Sequence, residues 1–131
     1  MQLELADLAV PSKGGFYYLA TPYTKWRAGP DDACRMAAEL AGEFVKLGIP
    51  VFSPIAHAHV IATAAGIDPL DHKIWLPADK PFVAAAIGLV VAAVPGWRES
   101  YGVGQEIEWF TLAKKPRFLL NPDTLKLQPL P

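Results

Sequence analysis

Phe16-Tyr17-Tyr18-Leu19-Ala20-Thr21-Pro22 and Ile49-Pro50-Val51-Phe52-Ser53-Pro54 lie on either side of a helical run, and that order decides the fold. Each stretch reads as a short apolar strand closed by a proline, because the residue before a proline is biased away from helix. Between them Met36, Ala37, Leu40, Ala41, Phe44, Val45 and Leu47 recur at helical spacing. Asp31 or Asp32 suits the N-cap of that run, and Gly48 stops it. Strand, helix and strand within about forty residues make a parallel α/β unit.

The rest of the chain repeats the pattern. Residues 57–65 read as a short helix broken by Gly66-Ile67-Asp68-Pro69, and residues 79–86 as another. Leu89-Val90-Val91-Ala92-Ala93-Val94 is a buried strand ended by Pro95-Gly96. Ser100 then opens a helix to about Lys114, with Ile107, Phe110 and Leu112 or Ala113 inward, and Arg117-Phe118-Leu119-Leu120 is a fourth strand. A polar lead-in ends at Gly14-Gly15, and residues 121–131 read as a proline-marked tail. The expected architecture is α/β: a small doubly wound, Rossmann- or flavodoxin-like parallel sheet of four to five strands with helices on both faces. It occupies residues 1–131 as a single domain.

Composition narrows the functional classes. Lys plus Arg total 12 and Asp plus Glu 13, a formal net charge of −1, so the chain lacks the basic footprint of a nucleic-acid binder. With 52% hydrophobic and 19% charged residues it is not disordered. Its longest uncharged apolar stretch, from Phe82 to Val94, is too short to span a bilayer, and no charged segment followed by an apolar one opens the chain. Cys34, the single cysteine, cannot form an internal disulfide. These features describe a cytoplasmic domain with no membrane or nucleic-acid partner. The low charge on a small surface fits a homo-oligomer, a dimer or tetramer.

Ligands of doubly wound sheets collect beyond the carboxyl ends of the strands, which selects residues 21–27, 53–59 and 95–106. The third segment, Gly96-Trp97-Arg98-Glu99-Ser100-Tyr101-Gly102-Val103-Gly104-Gln105-Glu106, is a glycine-rich turn into a helix, where free N–H groups attract anions. It is neither the dinucleotide fingerprint, since Ile107 stands where a third glycine belongs, nor a P-loop. Glu106 falls in the expected first helical turn; taken alone it reads first as a carboxylate favoured there by the helix dipole. Asp79, read as opening its helix, is by itself first of all an N-cap. Were the two to share one pocket, they would supply the carboxylate pair that double displacement at an anomeric carbon requires, about 5 Å apart.

Other polar and aromatic residues in these segments have two readings each. His57 and His59 suit substrate or interface contact as well as ordinary structural roles. A zinc site with Asp71 and His72 lacks a third ligand at helical spacing, and no CxxC or HExxH pattern occurs, so no metal or cofactor is expected. Tyr18, Thr21 and Tyr23 gather at the end of the first strand, though Tyr18 is equally a core aromatic. Trp97, like Trp75 and Trp109, has the surface to stack on a base or to plug a pocket wall.

These residues together resemble the nucleoside 2-deoxyribosyltransferase superfamily, and within it a branch of small proteins of uncharacterised function. The resemblance runs from Phe16 to about Leu120. Its strongest part is Ser100-x-Gly102-x-Gly104-x-Glu106 followed by Lys114-Lys115-Pro116, which is similar to the Ser-x-Gly-x-Gly-Tyr-Glu and Gly-Lys-Pro segments of the 2′-deoxynucleoside 5′-phosphate N-hydrolases. Tyr18-Leu19-Ala20, Ser53-Pro54 and Asp79 fall in family order. The resemblance implies Glu106 as nucleophile on C1′, Asp79 as the acid assisting nucleophile and leaving group, and Tyr18 lining the sugar. It also implies Ser100, with the N–H groups near Gly102, as a 5′-phosphate site.

The chain departs from the pattern at Ile87 and Ala93, where relatives carry acidic or polar residues, and at Gln105, where they carry Tyr. Thr21-Pro22-Tyr23 likewise replaces a Gly-Ser-Ile-Arg type of loop. The expected activity is cleavage of the N-glycosidic bond of a nucleoside 5′-monophosphate or nucleoside through a covalent ribosyl-enzyme then released by water. Substrate contacts are expected from Ser100, Gly102, Gly104, Thr21, Tyr23, His57, His59 and Trp97. The alternative is a non-catalytic module that binds a nucleotide or an ADP-ribose-like ligand.

Overall fold

A computed structural model describes residues 2–9 and 14–131. The fold is α/β, with four α-helices and one six-stranded mixed sheet. In chain order the strands are β1 (Leu3–Glu4), β2 (Tyr17–Ala20), β3 (Val51–Phe52), β4 (Gly88–Ala92), β5 (Arg117–Leu120) and β6 (Lys126–Pro129). The helices are α1 (Pro30–Lys46), α2 (Pro54–Ala65), α3 (His72–Ala85) and α4 (Tyr101–Leu112). The sheet order is β1-β6-β5-β4-β2-β3, parallel from β5 through β3 and antiparallel where β6 meets β5 and β1. No helix among the described residues is long and apolar enough to cross a membrane.

The two ends of the chain differ from expectation. The tail turns at Asn121, whose side chain accepts from the Asp123 and Thr124 N–H groups, and returns as β6 along β5. Only Leu127 of β6 is buried, so a period-two apolar signal too short to register in the sequence suffices to dock it. Within the lead-in, Leu3–Glu4 pairs with β6, and a 3₁₀ turn over Leu5–Leu8 buries Leu5 and Leu8. The remainder of the lead-in, residues 10–13, lies outside the described residues. Six strands, with two antiparallel pairings among them, thus stand where four or five parallel ones were expected.

Period-two alternation divides the core. Tyr17 and Leu19 of β2, Val90 and Ala92 of β4 and Leu120 of β5 share one cluster with Leu40 and Phe44 of α1. Tyr18 and Ala20, with Leu89 and Val91, share the other with Val83 of α3 and Val103 and Phe110 of α4. Full burial of a side chain such as Phe44 or Phe110 contributes roughly 1.5–3 kcal/mol each.

Helix starts show why some boundaries moved. α1 is capped by Gly29 with Pro30 at its first position, so Asp31 and Asp32 fall inside the first turn. α3 begins at His72 because the Asp71 carboxylate accepts from the Lys73 N–H at 3.0 Å; Asp79 therefore lies mid-helix and is not a cap. The helix expected over residues 79–86 is the C-terminal half of α3, which holds Pro77 and Pro81 inside it and packs Phe82 and Val83 against the sheet. The α4 helix starts at Tyr101, which puts Glu106 in the second turn rather than the first. Its buried stripe is Val103, Glu106 and Phe110, while Leu112 and Ala113, one of which was expected inside, are both exposed.

Candidate functional site

Chain segments leaving β2, β3 and β4 meet at the carboxyl ends of the parallel strands and enclose a narrow chamber of about 70 Å³. A wider cleft of about 740 Å³ adjoins it, and Tyr23, Thr24, His72 and Ser100 border both. Thr21, Asp79, Gly102 and Glu106 line the chamber.

At the floor of the chamber, Glu106 is 6% exposed and occupies a position in the apolar stripe of α4 where a leucine would satisfy packing. The alternation of β2 turns Tyr18 toward the same side. Its ring is held between Phe52 and Phe110, each 5.5 Å away between centroids, and its hydroxyl donates to Glu106 Oε2. Burial, then the neighbouring Glu106 and Asp79, pushes the Tyr18 hydroxyl far up, so it remains a donor. Burial pushes the Glu106 carboxyl up to about 8; the Tyr18 hydrogen bond opposes this, and the Asp79 charge adds to it. Asp79 is raised to about 6, also by burial. Near neutral pH the pair therefore carries one proton between two carboxyl groups.

The position of Asp79 depends on how α3 is tied down. Lys115 Nζ donates to the carbonyls of Val83, Ala84 and Ala86 at 2.9, 2.6 and 2.7 Å, closing the C-terminal end of α3. Phe82 stacks on Phe52 with centroids 4.0 Å apart, joining α3 to β3. An aromatic wall and a lysine clamp thus fix the carboxyl pair, with no contribution from the helix dipole at Asp79.

Thr21 follows directly on β2 and is 3% exposed. Its Oγ1 is the one buried side-chain polar atom among the described residues without a hydrogen-bond partner. A buried hydroxyl left unpaired costs roughly 1–3 kcal/mol, which a ligand donor or acceptor in the chamber would relieve. Ser100 caps α4 by accepting from the Val103 N–H at 3.3 Å. That leaves the amides of Tyr101 and Gly102, at the first two helical positions, without an intrahelical acceptor beside the cleft.

Of the expected contact residues, the structure brings Thr21, Tyr23, His59, Ser100 and Gly102 to the chamber wall with Glu106 and Asp79, and joins Tyr18 to Glu106 from behind. It does not bring Gly104, His57 or Trp97. Gly104 lies inside α4, its N–H donating to Ser100 O. The His57 ring packs on Phe52 and Phe82 at 5.3 and 5.9 Å, behind the wall. Trp97 packs against the core and carries the Arg98 guanidinium over its ring at 4.9 Å.

Sequence reasoning passed over His72 as a chamber residue and Asp31 as the partner of His59, while Trp75, read as able to stack on a base or plug a pocket wall, lines the chamber. The capping Asp71 is the signal that would have placed His72 at a helix start facing the strand ends. Ile87, where the chain departs from the resembled pattern, lies before the amino end of β4 against Gly15, at the opposite end of the strand from the chamber. Among the described residues no group of three or more His, Cys, Asp and Glu side chains is arranged to hold a metal ion.

No curated protein matches the chain. A family model does match, over residues 15–121, which takes in β2 through β5 and every residue of the chamber. The chain belongs to that family, described as the domain of unknown function DUF1937.

Proposed function

We propose that the protein cleaves the N-glycosidic bond of a nucleoside 5′-monophosphate or nucleoside, with Glu106 as nucleophile. The observation that carries this reading is the buried Glu106 and the half-buried Asp79 lining one chamber, with the Tyr18 hydroxyl on Glu106 Oε2. Two carboxyl groups enclosed beside a chamber and sharing one proton suit double displacement at an anomeric carbon. In the one-proton state the proton rests on Glu106; as it passes to Asp79, the Glu106 carboxylate attacks C1′ and the electron pair of the C1′–N bond leaves with the base. Asp79 supplies that base with the pair's proton. Tyr18 orients the nucleophile and holds its second oxygen. The amides at the start of α4, beside Ser100, would take a 5′-phosphate, and Thr21 Oγ1 would pair with a sugar hydroxyl. The resemblance to nucleoside 2-deoxyribosyltransferases supports the same reading, as does a doubly wound reading of the four parallel strands, whose carboxyl ends carry the chamber.

Base release from a panel of nucleosides and nucleoside 5′-monophosphates, with Glu106→Ala in parallel, tests this. Release from one class that is lost in the variant supports the glycosidase. A nucleotide that raises the melting temperature without any base release would instead favour a non-catalytic binding module for a nucleotide or ADP-ribose-like ligand. The unpaired Thr21 hydroxyl serves that reading equally well. We also propose a cytoplasmic homo-oligomer of two or four chains, for which the exposed Val60 and Leu112 supply apolar surface; a monomer by light scattering removes it.

A further inference from the structure

A second hydrogen-bonded chain reaches the chamber from elements other than the carboxyl pair's own helices, and the carboxyl pair makes no use of it. The Tyr23 hydroxyl lies 2.8 Å from His59 Nδ1, and His59 Nε2 lies 2.8 Å from Asp31 Oδ1. The three residues come from separate elements: the loop after β2, the middle of α2 and the first turn of α1. His59 has only 13% of its side chain exposed, whereas Asp31 is at the surface with 97% exposed.

The direction of these bonds follows from their ends. Asp31 is acceptor-only when ionised, so Nε2 carries the imidazole proton and donates to it. Nδ1 is then a lone pair, and Tyr23 must donate its hydroxyl proton to it. Burial raises the Tyr23 hydroxyl above its ordinary value, which keeps that proton in place. What Tyr23 turns to the chamber is therefore an oxygen with lone pairs only, backed by an imidazole able to take a proton. The same logic arms the hydroxyl of a Ser-His-Asp triad, with the difference that a phenolic oxygen passes protons and does not attack.

We propose that Tyr23, backed by His59 and Asp31, is the general base that activates the water releasing the sugar from Glu106; this rests on the glycosidase reading above. As the water oxygen bonds to C1′, the C1′–O bond to Glu106 breaks and its electron pair returns to the carboxylate. The water's proton passes to Tyr23 Oη while the Tyr23 proton passes to His59 Nδ1, giving an imidazolium held by Asp31. Tyr23 touches the reacting water and is the catalytic residue; His59 and Asp31 act through it as positioning residues.

The test is rapid-quench measurement of base release by the wild-type protein, Tyr23→Phe and His59→Gln, with and without sodium azide. Azide attacks C1′ without needing a base. Both variants are expected to release one equivalent of base in a burst, then turn over about 100-fold more slowly, with azide restoring at least tenfold. Tyr23→Phe removes one oxygen and keeps the ring, and a full burst shows that each variant is folded. Asp31→Asn keeps an acceptor for Nε2 and is expected to lose less than tenfold.

If the wild type releases base and both variants keep its steady-state rate, the relay is overturned, Asp79, the acid of the first step, serves as base in the second, and the glycosidase stands. Loss of burst and steady state together, without an azide response, also overturns it, because the defect then precedes water attack. If the wild type releases no base from any substrate, the glycosidase reading falls and takes the relay with it.

Discussion

Replacing Glu106 with Gln should make the fold more stable, and increasingly so as the pH rises. In the folded chain the Glu106 carboxyl is held at about 8 against an ordinary value of 4.5. Below the ordinary value both folded and unfolded chains hold the proton, and the carboxyl costs nothing. Between pH 4.5 and 8 only the unfolded chain releases it, so folding loses stability continuously; above about pH 8 the loss levels off. The cost works out at roughly 1 kcal/mol at pH 5, about 3 at pH 7 and about 5 at pH 9. Gln fills the same volume, still accepts from the Tyr18 hydroxyl and has no proton to lose. Asp79, raised to about 6, titrates in both proteins and largely cancels. Thermal melts of wild type and Glu106→Gln at pH 5, 7 and 8 are the assay. For a chain of this size about 1 kcal/mol moves Tm by roughly 4 °C, so the gap in favour of the variant should widen by roughly 14 °C from pH 5 to pH 8. A gap independent of pH, or one that closes as pH rises, would refute the argument that Glu106 is buried and proton-bearing.

Three other outcomes follow from the same geometry. The pH profile of kcat/KM for base release should be bell-shaped with limbs near 6 and 8, since only the one-proton state of Asp79 and Glu106 offers both a nucleophile and an acid; a profile flat across that range would contradict it. Thr21→Val should leave the ligand-free fold equally stable or more stable by up to about 1 kcal/mol, because it removes an unpaired buried hydroxyl. The same variant should raise KM, and urea denaturation beside steady-state kinetics checks both effects. Lys115→Met should cost about 2–3 kcal/mol by urea denaturation, through loss of a charged donor to three carbonyls at the end of α3. It should also lower turnover by loosening the helix that carries Asp79.

The parallel part of the fold was legible because its signals are local. Tyr17–Ala20 and Gly88–Ala92 are apolar runs between turn residues, and the α1 stripe through Leu40 and Phe44 has clear helical spacing. Where long-range docking decides, the sequence carried little. β6 contributes one buried side chain, Leu127, and exists because Asn121 turns it back against β5. α3 holds two internal prolines that local propensity counts as breaks, and only the Asp71 cap and the packing of Phe82 and Val83 reveal one continuous helix.

The candidate site divides in the same way. The strand-end rule selected the segments that meet at the chamber, and the motif around Ser100 and Glu106 drew attention to α4. His57 and His59 could not be told apart in sequence, being two positions apart on one helix. A helical turn of about 200° between them sends one into the Phe52 and Phe82 wall and the other to Tyr23 and Asp31. Partners such as Asp31 and Lys115 are surface-type residues whose roles depend on elements far away in the chain.

The measurement that tests the central claim most directly is the mass of the protein acid-quenched during incubation with nucleosides and nucleoside 5′-monophosphates, followed by peptide mapping. A covalent nucleophile predicts a sugar or sugar-phosphate adduct on the peptide containing Glu106, accumulating further in His59→Gln and absent in Glu106→Gln. Base release with no adduct in either protein, or an adduct that persists when Glu106 is replaced, would contradict the assignment.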